Sequence, residues 1–350
     1  MGQPDRRIDG IQIAVTLAAG RGKDIRWMYG FLEQLLHYFN RPHTGLPTRP
    51  VEGRAAWMGC DLAGSNEWRE CLLPSHVTEL RRAVNTALAA RRPTQELAAT
   101  DFPLPTLQAS IDRWRIELAD GRGFVLVSGF PVDTWSREES EVAFWGLGLH
   151  LGVPGAQNEA GDLLGHVTDL SAEREHADER LYRTNQAIRF HCDAADVVGL
   201  LCLNTSAHGG ASRLVSSVTV FNHLFTTRPE LARRLFEPLL LDARRPAGAA
   251  TQYTPVQPCT FDGTHLRTFM HVDYFSSVER HSGITLDPVV RELLKEWEAF
   301  AEQPGVHLDM QLSPGDVQLV SNHTVVHART SYVDDPSSPR HLLRLWLSLA

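Results

Sequence analysis

The sequence predicts a mainly β protein with flanking helices, an α+β chain. Three observations predict it. Short apolar runs bounded by glycines, prolines or charged turns recur through the chain, at 123–130, 197–203, 316–320 and 340–347. Such runs read as buried or half-buried strands. Between and before them, 24–40, 76–90, 138–151 and 288–300 carry apolar residues at helical spacing. The 350 residues suffice for one large domain or two small ones, and no internal repeat or low-complexity segment divides them.

In order along the chain, Ile25, Met28, Leu32, Leu35, Leu36 and Phe39 mark a first helix over 24–40. Residues 41–75 are rich in Pro and Gly, hold Trp57 and Trp68, and read as an irregular connection. Val77, Leu80, Val84 and Leu88 mark a second helix, and Pro93, Pro103 and Pro105 a second connection. This first stretch, 1–110, carries no catalytic motif and is expected to be a helical extension packed on a core. A part in the substrate pocket or in a homodimer contact is the alternative. From 111 the texture changes: a helix over 111–120, a strand over 123–130, and an amphipathic helix over 138–151. The polar stretch 155–184, with Glu173, Arg174, Glu175, Asp178, Glu179 and Arg180, reads as a long loop, either a lid or a solvated excursion. Helices are expected near 218–225 and 229–237, loop with short strands over 244–263, and a strand over 266–275. Asp287-Pro288 supplies an N-cap and a Pro at N1 for a helix through Phe300.

Chemistry concentrates at Arg189-Phe190-His191-Cys192-Asp193, flanked by strand-like Ala187-Ile188 and by 197–203. Alternate side chains of a strand share a face, so His191 and Asp193 point the same way. An imidazole and a carboxylate so placed are two thirds of a 2-His-1-carboxylate triad, which holds Fe(II) and leaves positions open. His327 is the candidate third ligand. Beyond it, a strand over 340–347 puts Arg340, Leu342 and Arg344 on one face and His341, Leu343, Leu345 and Leu347 on the other. Two guanidiniums on an apolar strand need anionic partners, and a dicarboxylate is one that a bidentate fork can grip.

Four pieces in order resemble the taurine dioxygenase/clavaminate synthase-like family of Fe(II)- and 2-oxoglutarate-dependent oxygenases. They are Phe190-His191-Cys192-Asp193, Gly209-Gly210-Ala211-Ser212, His327-Ala328-Arg329-Thr330 and 340–347. The resemblance covers roughly 110–350. It implies a double-stranded β-helix (jelly-roll) core over 111–350, with His191, Asp193 and His327 as iron ligands. It also implies that Arg340 grips the distal carboxylate of 2-oxoglutarate and that Ser212 assists with its hydroxyl. Arg344 is then expected near the C1 carboxylate or near an anionic group of the substrate. The cofactor set is Fe(II), 2-oxoglutarate and O2. The implied reaction is oxidation, foremost hydroxylation, of a small anionic or amino-acid-like metabolite with release of succinate and CO2. Desaturation, cyclisation or epimerisation by the same cofactors remain open, as do a cupin-like non-redox metalloenzyme and a non-catalytic ligand-binding relative.

A second His-x-Asp, His271-Val272-Asp273, lies much nearer His327 in sequence and is the internal rival. The Gly-Gly-x-Ser turn after His191, the distance of the arginines beyond His327, and a helix soon after His271 all favour His191. His271 is then expected to line the substrate pocket. Arg189, which shares strand parity with His191, and Asn185 are further substrate candidates, with a structural salt bridge the alternative for Arg189. The sequence has no G-x-S-x-G, no H-E-x-x-H and no P-loop.

The formal net charge is −8 with acids and bases interspersed, so no basic block points to nucleic acid or an anionic membrane. Five widely spaced cysteines without a C-x-x-C pair fit a reducing cytoplasm rather than a disulfide framework. Arg6-Arg7 before the short apolar run 11–19 faintly resembles an export signal, but Gln12 and Thr16 interrupt the run. No run approaches the roughly 18 apolar residues of a membrane span.

Overall fold

Period-2 alternation builds two sheets in the computed structural model, which describes residues 28–169, 184–244 and 252–349. The strands that matter for the site are β1 (Arg69–Cys71), β2 (Phe124–Ser128), β3 (Val153–Gly155), β4 (Leu164–Val167), β5 (Ile188–His191), β6 (Val197–Asn204), β7 (His208–Gly209) and β8 (Ser212–Ser216). They continue with β9 (Leu239–Asp242), β10 (Tyr253–Val256), β11 (Cys259–Phe261), β12 (Leu266–Thr268), β13 (Leu308–Met310), β14 (Val317–Ser321), β15 (Val325–Arg329), β16 (Tyr332–Val333) and β17 (His341–Ser348). The larger sheet runs β1-β2-β14-β6-β17-β3, with β4 also paired to β17. The smaller runs β13-β8-β15-β5. Between the two sheets lie Phe124, Leu126, Val198, Cys202, Leu214, Met310, Val320, Val325, Leu342 and Trp346, a shared apolar interior drawn from both. This is the double-stranded β-helix expected from the sequence.

The opposite faces carry the helices. Over the large sheet pack α1 (Phe31–Phe39), α3 (Pro74–Ala89), α4 (Gln108–Ala119) and α5 (Arg137–Leu151), the short α2 (Gly59–Ala63) lying between α1 and α3 in sequence. Leu80, Trp114 and Phe144 of these helices meet Val127, Leu319, Leu343 and Leu345. Over the small sheet pack α6 (Ser217–Thr227), α7 (Pro229–Arg234), α8 (Val272–Ser276) and α9 (Pro288–Ala301). Phe221, Leu293 and Trp297 there meet Phe190, Val215 and Val326. The expected cap forms on α9, and α5 carries another that the sequence reading did not name. Asp287 Oδ1 accepts from Val289 N at 2.8 Å, with Pro288 opening α9. Ser136 and Glu139 close a reciprocal capping box on α5.

Four expectations need correction. The first helix occupies Phe31–Phe39 only, and residues 24–27 lie outside the described residues. The stretch 41–75 is not all connection: β1 adds a parallel edge to β2, because Arg69, Glu70 and Cys71 register with Leu126, Val127 and Ser128. Trp57 and Trp68 enter the interior between the sheets, against Phe124, so the first 110 residues supply core as well as cover. Part of 155–184 is strand: β4 pairs Leu164 through Val167 with β17. The charged stretch Glu173 to Arg180 and the export-like run 11–19 lie outside the described residues. Finally, 266–275 is strand only at Leu266–Thr268. The chain turns at His271, with φ −147° and ψ 87°, to start α8.

Candidate metal centre and cosubstrate pocket

β15 lies beside β5 in the small sheet, with His327 in register with His191. Their rings stand 4.3 Å apart between centroids. Asp193 follows β5 by two residues, and its Oδ2 lies 3.8 Å from His327 Nε2. One donor atom from each of His191, Asp193 and His327 lies within 4.8 Å of the others, the one such cluster among the described residues. The backbone holds these side chains in place. His191 Nδ1–H donates to the carbonyl of Arg189 (2.9 Å), which fixes the tautomer and turns Nε2 toward the cluster. Asp193 N donates to Asn322 Oδ1 (2.9 Å), and Asn322 Nδ2 donates to the carbonyl of Ala195 (2.9 Å), which locks the turn after β5.

The electrostatics suit a divalent cation. Burial pushes the Asp193 carboxyl up, but the nearby Arg344 guanidinium, with the His327 and His191 rings beside it, outweighs burial and holds the group below its ordinary value. Burial, with His191 beside it, pushes His327 down to about 3. Its imidazole is therefore neutral, the form that ligates. Two imidazoles and one carboxylate, with the apolar interior on one side, make a donor set of the kind that a facial Fe(II) site uses.

The rival motif does not converge. His271 faces His191 across an isolated bridge, with ring centroids 5.1 Å apart, but Asp273 turns away into α8 and accepts from Arg189 Nη1 (2.8 Å). His271 instead forms a wall beside the trio. Tyr274 stacks on it at 3.7 Å, and the Arg244 guanidinium lies 5.1 Å from the Tyr274 ring. Arg244 adopts φ +52°, a conformation uncommon for a side chain of this size.

Arg340 and Arg344 do share the face that parity assigns them, pointing between the sheets with Leu342 and Trp346. Arg340 is 6% exposed, and its Nη1 has no hydrogen-bond partner among the described residues. It borders a small cavity with Cys202, Gly210, Leu312 and Leu342. Arg344 Nε donates to Gln157 Oε1 (2.6 Å), while Gln157 Nε2 donates to the carbonyls of Arg344 and Leu163. Ser212 also faces inward, and its hydroxyl and the Gln318 amide bond each other. Two substrate candidates are corrected. Arg189 is 45% exposed at its side chain and is taken by the carboxylates of Glu298 and Asp273. It is the structural salt bridge weighed against a pocket role. Asn185 is exposed, and its carbonyl accepts from Tyr332 N (3.0 Å).

Sequence reasoning missed Gln157, Gln318, Arg329 and Tyr332. Gln318 shares strand parity with interior Val320, and Arg329 with His327, so both carried a usable signal. Gln157 sits in a turn before β4, where no periodicity speaks. Arg329 is buried, and desolvation together with the neighbouring Arg340 charge holds its guanidinium down to about 10.

A family model described as taurine catabolism dioxygenase TauD, TfdA family matches residues 89–346. The chain belongs to this family. It is an Fe(II)- and 2-oxoglutarate-dependent dioxygenase. Among related sequences, FR-33289 synthase of Streptomyces rubellomurinus is 29% identical over 308 residues, 86% of this chain and 91% of that protein. Among solved structures, asparagine oxygenase in complex with Fe(II), 2S,3S-3-hydroxyasparagine and succinate superposes with a TM-score of 0.65 at 18% identity, covering 81% of this chain and 94% of that one. Non-heme iron oxygenase OrfP in complex with Fe and alpha-ketoglutaric acid gives 0.61 at 17% identity, covering 80% and 94%. Identities this low speak to the fold, which agrees with the two facing sheets.

Proposed function

We propose that this dioxygenase hydroxylates a small anionic or amino-acid-like metabolite, with His191, Asp193 and His327 holding the iron. The observation that carries the assignment is the convergence of those donors on one edge of an interior that also holds a buried guanidinium with an unused N–H, that of Arg340. With 2-oxoglutarate and O2, the bound iron supplies the oxidising power, and succinate and CO2 leave. Everything else is the work of the chain. Arg340 grips the distal carboxylate of 2-oxoglutarate, which is a better anchor in a dry interior than at a surface. Ser212, already paired with Gln318, adds a hydroxyl to that grip. Arg344, fixed by Gln157, lies close enough to hold Asp193 ionised, and stands at the C1 carboxylate or at an anionic group of the substrate. Apolar walls from both sheets keep water from the reacting centre.

The substrate lies against His271 and Tyr274, the wall next to His191, with the Arg244 cation at its outer end. This is small-molecule chemistry in the cytoplasm, without nucleic acid or membrane. The five cysteines are unpaired, and no helix among the described residues is long and apolar enough to cross a membrane. Residues 111–350 form the oxygenase domain, and 1–110 cover it, with a homodimer contact as a further role. The names of the relatives support the substrate class: hydroxyasparagine is bound in one solved neighbour. A screen of amino-acid-like and anionic compounds, reading succinate formed per Fe(II) and 2-oxoglutarate, tests the assignment. Metal uptake without succinate for any compound, coupled or uncoupled, would sink it.

A further inference from the structure

We infer that Arg329 is a second cosubstrate-binding residue: its guanidinium and that of Arg340 together take the distal carboxylate of 2-oxoglutarate. The inference rests on the function proposed above, in which Arg340 is the one guanidinium with that part, assisted by the Ser212 hydroxyl. Arg329 follows His327 by two residues on β15, so the two share the inward face, roughly 6.6 Å apart along the strand. That spacing is about the length of the cosubstrate carbon chain, which must reach from the metal trio to its distal anchor.

Arg329 and Arg340 converge on one ring. Their guanidinium carbons lie 4.8 and 5.1 Å from the centre of Tyr332. Arg329 is 7% exposed and Arg340 6%. Arg329 Nη2 donates to the carbonyls of Thr184 (2.6 Å) and Gln186 (2.5 Å), which aims the fork. Its Nε and Nη1, and Nη1 of Arg340, have no hydrogen-bond partner among the described residues. Asp334 accepts the backbone N–H of Arg340 (2.9 Å), and although its charge and that of Asp169 reach Arg329, neither hydrogen-bonds Arg329 Nε or Nη1 or Arg340 Nη1. A carboxylate has about four lone-pair sites and can accept from two forks at once.

Two further observations point to the same place. Ser212, the hydroxyl expected at the distal carboxylate, stands directly opposite Arg329 in the β8–β15 register. Gly210, at φ +71°, leaves the approach to Arg340 bare: a Cβ there would stand 3.2 Å from Arg340 Nε and 2.8 Å from Ser206 Oγ. The rival account makes Arg329 only a tether for the Thr184 and Gln186 carbonyls. That account leaves two buried guanidinium nitrogens, Nε and Nη1, without a use.

The test uses the full chain loaded with Fe(II) without oxygen. Calorimetry measures the affinity of 2-oxoglutarate and of 2-oxopentanoate, which replaces the distal carboxylate by a methyl. The ratio of the two affinities reads the distal grip and is insensitive to a general loss of folded protein. Arg329→Met should compress the ratio by about tenfold or more, the worth of hydrogen bonds to a charged partner. Arg329→Lys keeps the charge, loses the fork, and should fall between; it decides the matter if the Met variant does not fold. A wild-type ratio in the variant that folds overturns the inference and leaves Arg329 a tether. A wild-type ratio in Arg340→Met overturns instead the cosubstrate assignment on which it rests.

Discussion

Arg340→Met should separate cosubstrate binding from folding. The guanidinium is buried to 6% exposure, with desolvation holding its pKa below the ordinary value. In the proposed complex it faces the distal carboxylate of 2-oxoglutarate across a dry gap. Removing one partner of a buried pair costs about 3–5 kcal/mol, because the other charge stays desolvated and unpaired. That is about two to four orders of magnitude in affinity. Without cosubstrate the sign reverses. A buried cation with an unused N–H is then replaced by an apolar side chain of similar length, beside Leu342 and Tyr332. The urea midpoint of the protein alone should therefore hold or rise. The measurement is an anaerobic titration that follows the visible band of the Fe(II)–2-oxoglutarate chelate, alongside urea unfolding. An unchanged affinity would refute the reasoning and move the anchor to Arg344. A weakened affinity with an equally weakened fold would show that Arg340 acts through packing.

His191→Ala should abolish the chelate band and lower Fe(II) affinity, whereas His271→Ala should keep both and change substrate KM; the reverse pattern would overturn the ligand assignment. Ser212→Ala should weaken 2-oxoglutarate by about 0.5–3 kcal/mol, less than Arg340→Met, and an effect as large as that of Arg340→Met would make the hydroxyl the main anchor. Asp196→Asn should destabilise the fold by about 2–4 kcal/mol, since the buried carboxylate accepts from His37 Nε2 (2.9 Å), His323 Nε2 (2.8 Å) and Leu349 N (2.8 Å). Burial raises the Asp196 pKa, but its bonds from His323 and His37 bring it well below the ordinary value. Its stabilisation is therefore present above about pH 3.9 and lost as pH falls through the folded value. His37 is raised by its hydrogen bond to Asp196, so its share is present below about pH 6.5 and fades as pH rises through its folded value. Unfolding of wild type and variant from pH 3 to 8 should show the gap widest between those limits; a gap independent of pH would exclude the charge as its source.

Parity along a strand was the most legible signal, and its success and failure have one cause. Arg340 and Arg344 lie beside a strand with neighbours on both sides: β17 pairs with β6 on one side and with β3 and β4 on the other. There, one face means the interior. Arg189 has the parity of His191, but β5 is the edge of the small sheet. At an edge a long side chain can reach around, and Arg189 reaches to Asp273 and Glu298 on the covering helices. His271 misled differently. Phe269 and Met270 are buried like strand residues, yet the backbone turns at His271, and Asp273 leaves the face a strand would give it. Neither Trp57 nor Trp68 could be placed from sequence. Each reaches the interior from irregular chain, and Trp57 Nε1 finds its acceptor at Arg122, far along the sequence.

The interior arginines bear on the substrate through charge. Among the described residues, Arg329, Arg340 and Arg344 bring three cations between the sheets, with Asp193 near Arg344 and with Asp334 and Asp169 near Arg329. A ferrous ion adds two more positive charges, and 2-oxoglutarate removes two. Iron and cosubstrate thus cancel, and the balance rests on these guanidiniums and carboxylates. In a medium of low dielectric an unmatched charge is costly, so a charged substrate needs a counter-charge within reach. Arg189 offered an anionic substrate its first cation in sequence and proves to be neutralised by two acids. Arg344 stands in its place, fixed by Gln157 beside the trio, while Arg244, over Tyr274 at the far wall, is paired with Asp242 (3.7 Å). The anionic or amino-acid-like substrate proposed above would find that counter-charge in Arg344, beside the His191, Asp193 and His327 trio.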